Sequence, residues 1–127
     1  MIHRIRHHVV AASLLAALAI AFATSARADC CNSVTIINST NCTFQVHALI
    51  NGVANANWTI APGNNTFRFS QCFTVAIDVT DMCGNVHPFP GTAGPCIDVP
   101  VTTTCCVNIC QTSLCQWTVT NGNCNPC

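Results

Sequence analysis

The sequence predicts an all-β fold: a small, disulfide-rich antiparallel β-sandwich or barrel-like domain that follows a cleaved signal peptide. Three observations carry this expectation. An apolar leader opens the chain, all twelve cysteines come after it, and apolar and polar residues then alternate with period two between turn-forming clusters. Period two sends successive side chains to opposite faces of a strand, and no stretch after the leader shows the helical period.

The leader comes first. Arg4 and Arg6, with His3, His7 and His8, form a basic start, and an apolar run rich in Ala and Leu covers residues 9–23. That run is shorter than the roughly 20 residues a membrane helix needs. Ala26-Arg27-Ala28 then supplies the small-x-small pattern read by signal peptidase. The expected division is a signal peptide at residues 1–28 and one disulfide-rich β domain at residues 29–127. No second apolar run of spanning length follows. The mature chain is therefore expected without a membrane span, secreted or at the cell surface or periplasm.

The cysteines are Cys30, Cys31, Cys42, Cys72, Cys83, Cys96, Cys105, Cys106, Cys110, Cys115, Cys124 and Cys127. An even number at this density in an exported chain reads as a disulfide framework. Cys124-Asn125-Pro126-Cys127 has the spacing of a redox pair, but no following helix is expected to depress a thiol pKa. Six thiols near the C-terminus lack the paired knuckles of a zinc site. Pairing is not readable from spacing, with one constraint. Neighbouring cysteines on an extended strand point to opposite faces, so Cys30-Cys31 and Cys105-Cys106 should each bond to two separate places.

The strands follow in order. Residues 33–37 form a short first strand, and Asn38-Ser39-Thr40-Asn41 is a turn cluster. Phe44, Val46, Ala48 and Ile50 share one face, and Thr43, Gln45 and His47 the other. Asn51-Gly52 is a strong hairpin signal, since a type I′ turn requires positive φ at both central positions. Residues 53–60 return, with Ala54, Ala56, Trp58 and Ile60 on one face. Ala61-Pro62-Gly63-Asn64-Asn65 marks the next turn by Pro/Gly chemistry, and residues 66–70 form a strand with Phe67 and Phe69 inward and Arg68 outward. Phe73, Val75, Ile77 and Val79 alternate again, and residues 81–95 read as a long loop with three prolines and three glycines. Residues 97–107 are extended, with Pro100 favouring a sheet edge. A last strand at 116–120 precedes an Asn121-Gly122 turn. A weak self-similarity links residues 35–42 with 118–124, and each follows a Cys-Cys pair.

Charge excludes whole classes of function. After residue 28, Arg68 stands against Asp29, Asp78, Asp81 and Asp98, a side-chain sum of one minus four, or −3, with no Lys, Glu or Tyr. One arginine makes no footprint for nucleic acid, for anionic lipid or for phosphate groups. A surface so poor in charge has little repulsion to keep copies apart.

The catalytic inventory is thin. His47, His87, Asp78 and Asp81 could together ligate a metal, although two unrelated imidazoles are the simpler reading. Ser70, His47 and Asp78 supply the residue types of a triad without a G-x-S-x-G turn. Among aromatics, Trp58 is assigned to the core, Trp117 is ambiguous, and Phe89, between Pro88 and Pro90, is the candidate exposed ligand contact. Asn38, Asn41, Asn57 and Asn64 begin N-x-Ser/Thr triplets, read as chance in an Asn/Thr-rich chain. No cofactor or metal is implied. The expected function is that of a secreted, non-catalytic structural protein of the envelope or extracellular matrix, partnered by itself or by other components there. The alternative is a binding module that recognises carbohydrate or a protein through residues 81–95.

Overall fold

The computed structural model describes residues 30–89, 94 and 96–127. The signal peptide assigned to residues 1–28 lies outside the described residues, as does part of the 81–95 segment. Among the described residues there is no helix, and nine strands form two sheets. They are β1 (Cys31–Asn38), β2 (Phe44–Ile50), β3 (Val53–Ile60), β4 (Gly63–Phe73), β5 (Val75–Thr80), β6 (Val86–Phe89), β7 (Ile97–Pro100), β8 (Cys106–Ser113) and β9 (Gln116–Asn121). One sheet has the order β4-β1-β9-β8-β7 and the other β3-β2-β5-β6.

The hairpin expected at Asn51-Gly52 forms as the turn chemistry requires. Asn51 has φ 52° and Gly52 φ 78°, both in the left-handed region. Asn51 also ties the tip down: its Oδ1 accepts from Thr74 N (3.2 Å) and Thr74 Oγ1 (2.9 Å). In β2, Phe44, Val46 and Ala48 are buried, while Gln45 is exposed and His47 half-buried. On β3 the matching face changes along its length, from exposed Ala54 and Ala56 through half-buried Trp58 to buried Ile60.

Both sheets contribute to one cluster of buried side chains. Val34 and Ile36 of β1, Val107 and Ile109 of β8, and Trp117 and Val119 of β9 meet Val46 of β2 and Ile77 and Val79 of β5. β4 adds no fully buried residue. It supplies Phe67, Phe69 and Phe73 at the margin, where Trp58 stacks on Phe67 with ring centroids 4.1 Å apart and planes 6° from parallel.

Several expectations need correction. First, the strands are not wholly antiparallel. β1 and β9 run parallel from Thr35↔Gln116 to Asn38↔Val119. The Cys31–Cys115 bridge and the Thr35 N–H to Cys115 O bond (3.0 Å) place the two strands side by side at this pairing. Second, residues 81–95 are not all loop, because β6 pairs with β5 from Ile77↔Phe89 to Thr80↔Val86. Pro88 can sit there because β6 is an edge. Third, residues 97–107 are not one extended run. β7 ends at Pro100, a turn follows, and β8 continues to Ser113. Asn121-Gly122 likewise makes no reversal: the Gly122 N–H bonds Cys106 O (3.1 Å), so the tail runs on beside β8. Pro100 does lie on an edge strand, β7.

All twelve cysteines are paired and no thiol is free. Each doubled cysteine reaches two places: Cys30 bonds Cys72 and Cys31 bonds Cys115, while Cys105 bonds Cys42 and Cys106 bonds Cys124. Together with Cys96–Cys110, four bridges staple segments of the β4-β1-β9-β8-β7 sheet and its tail. Cys42–Cys105 and Cys83–Cys127 instead tie the other sheet to that framework. Cys42 precedes β2 and Cys83 follows β5, so both ties fall at one end of the antiparallel β2–β5 pair. The hairpin tip at Asn51-Gly52 is at the opposite end.

Candidate functional site

The end of the β2–β5 pair that carries those two bridges also holds a cleft. β2 pairs with β5 only from His47↔Asp78 to Ile50↔Val75. Before His47 the two strands part, and a cleft of about 390 Å³ opens between them. Its lining is the polar half of the β2 alternation, Thr43, Gln45 and His47, with Asn57, Thr80 and Thr102 beside Phe44, Val46 and Val101. His47 sits at its inner limit, opposite Asn57 on one side and Asp78 on the other. His47 Nδ1 is 3.5 Å from Asp78 Oδ1. Ser70, the third residue of the candidate triad, is on β4 in the other sheet.

His87 and Asp81 form a second, separate pair. Asp81 is buried, and its Oδ2 lies 2.8 Å from His87 Nε2. Its Oδ1 accepts the amide N–H groups of Cys83 and Asn85, each at 2.9 Å. The bond to His87 holds the Asp81 carboxyl below its ordinary range, against the opposing effect of burial and with help from the two amides. This carboxylate therefore organises the turn that carries Cys83. Among the described residues no three His, Cys, Asp or Glu side chains are placed to share a metal ion. Each histidine meets one aspartate, and the four residues do not converge.

Phe89 is the clearest correction at the level of sites. Its side chain is 3% exposed and belongs to the buried cluster, opposite Ile77. Flanking prolines suggested a solvated loop, whereas pairing with β5 turns residue 89 to the inner face. Phe89 is thus not an exposed ligand contact. Trp117 is fully buried as well, and Trp58 is half-buried in its stack on Phe67. Asn38 of the first N-x-Ser/Thr triplet is 2% exposed. Its Nδ2 donates to Cys42 O (2.7 Å), and its Oδ1 accepts from Thr40 N (3.0 Å) and Thr40 Oγ1 (2.6 Å). The turn cluster read from sequence is therefore built around a buried asparagine that leads β1 into β2.

Thr43, Gln45, Thr80 and Thr102 were not singled out by sequence. The alternation marks the first two as outward, but the cleft depends on where β2 and β5 part. A second hollow of about 400 Å³ lies among Met82, Pro100, the 102–106 turn and the 124–127 tail. No protein-family model, curated protein sequence or solved structure matches the chain.

Proposed function

We propose that the protein is an exported, non-catalytic structural component of the cell envelope or extracellular matrix, with its two sheets packed face to face as a sandwich after removal of residues 1–28. The observation that supports this reading most is the cross-linking. Six bridges, closing separations of up to 84 residues, engage every cysteine. Domains of this size fold without such help, so a framework worth ~2–4 kcal/mol per bridge, not additive, suits endurance more than folding. Disulfides at this density are typical of oxidising, extracellular settings. Among the described residues no helix is long and apolar enough to cross a membrane.

Fractionation of the native cells tests the reading. The expected result is protein beginning at Asp29, without alkylatable thiols, in the sedimenting envelope or matrix fraction. Recovery solely as free protein in the medium would sink it. A second reading, a binding module for carbohydrate or a protein partner, draws support from the polar cleft beside His47. It loses the aromatic anchor expected at Phe89, and soluble glycans that shift the Thr43, Gln45 and His47 resonances in NMR would favour it.

A further inference from the structure

The four outer strands of the two sheets are of two kinds. β6 and β7 have four residues each and carry Pro88 and Pro100. Proline offers no N–H to an incoming strand, and a short edge offers few partners. β3 and β4 run for eight and eleven residues without proline, and Arg68 is their one charged side chain. Natural edges are ordinarily guarded by charge, proline or a covering segment. Among the described residues no strand pairs with the outer side of β3 or β4. Each has one register irregularity, at Asn55 in β3 and beyond Arg68 in β4, which leaves residues 56–60 and 63–68 regular.

These two open edges lie together. β3 passes into β4 through Ala61 and Pro62 alone, and the Trp58–Phe67 stack joins their side chains. Asn65 fixes the corner, accepting from Ala61 N (3.1 Å) and donating to Ala61 O (2.8 Å) and Ile36 O (3.2 Å). Exposed apolar groups flank the seam, with Val53 67% exposed and Ala54 and Ala56 also open.

We propose that β3 and β4 pair with the same strands of a second copy across a two-fold axis, continuing both sheets from one copy into the other; this deepens the structural reading by naming the partner. A second copy fits because a two-fold axis sets each edge antiparallel to itself, and residues 56–60 and 63–67 carry no charge to repel their counterparts. An axis through Asn65 or Thr66 places Arg68 opposite residue 62 or 64, not opposite Arg68 of the other copy. The far edges are the proline-bearing β6 and β7, so growth stops at two copies and no filament forms.

The test uses the exported, fully oxidised chain, with mass read by light scattering across a wide concentration range. A concentration-dependent dimer is expected. T59K and T66K place like charges on the exposed face of the seam and should each weaken the dimer about tenfold or more. V86K adds the same charge at an exposed position on β6 and should leave the dimer unchanged. Circular dichroism and thiol titration verify that all three variants are folded. A monomer at every concentration overturns the proposal and leaves these edges to a strand of another protein. Filaments overturn the two-fold closure, and a dimer lost in V86K but kept in T59K and T66K overturns its placement. A monomer still found in the envelope or matrix fraction leaves the structural reading standing. A dimer found only free in the medium keeps the seam and sinks that reading.

Discussion

Asp81 Oδ2 lies 2.8 Å from His87 Nε2, and this contact joins the turn after β5 to the edge strand β6. The same carboxylate holds the amides of Cys83 and Asn85, so one buried side chain shapes the turn that bears the Cys83–Cys127 bridge. An ionised Asp81 is thus part of the fold.

Acid should loosen this turn. The folded pKa of Asp81 is depressed, chiefly by His87. Its contribution to stability is therefore fully present above the unfolded value of about 3.8 and is lost as pH falls through the lower folded value. Thermal melts from neutral to strongly acidic pH should show this loss. Asp81→Asn should be less stable at neutral pH and show a shallower acid dependence; an unchanged acid slope would count against the assignment.

Phe89→Ala should behave as a core truncation. A buried Phe replaced by Ala typically costs about 3–5 kcal/mol, and Phe89 is 3% exposed. Denaturant unfolding with the disulfides intact measures this. A cost under about 1 kcal/mol, in the range of surface substitutions, would mean the ring is not packed as described.

Gly122 has no room for a side chain. A Cβ there would stand 2.8 Å from the carbonyl carbon of Val107 and 2.9 Å from its oxygen. These are backbone atoms of β8, which cannot swing aside, so Gly122→Ala should cost about 1–3 kcal/mol. Hydrogen exchange should localise the effect to the Gly122 N–H···Cys106 O contact and its neighbours.

The two kinds of bridge should differ. Cys42–Cys105 closes a separation of 63 residues and ties the two sheets, whereas Cys96–Cys110 closes 14 within one sheet. Taken alone, chain entropy assigns them about 4 and about 3 kcal/mol. Replacing both partners by serine should therefore lower the melting temperature more for the first pair. Equal losses would show that the remaining bridges already restrain the 42–105 loop.

Local features were legible where a few neighbouring residues settle the conformation. The Asn51-Gly52 hairpin needs only two residues that tolerate positive φ between alternating strands, and both are present. Pro100 announced an edge because a missing N–H is a local property. The doubled cysteines announced divergent bridges because strand geometry alone sends adjacent side chains apart. Residues 86–89 failed for the opposite reason. Val-His-Pro-Phe has no pattern of its own and becomes a strand only because β5 offers it an edge. The cleft was hidden too, since it arises where β2 and β5 cease to pair.

The sequence by itself determined the β character, the two-residue hairpin, the engagement of the cysteines in disulfides and the scarcity of charge. Each is set by residue type or by spacing within one strand. Only the tertiary structure decided which cysteines meet, that β1 and β9 run parallel, that Phe89 turns inward, and that β3 and β4, with no outer partner among the described residues, lie on one side. Those features rest on contacts between segments tens of residues apart. A strand's two faces are written in its own alternation, but its neighbours are chosen by the packing of the whole chain.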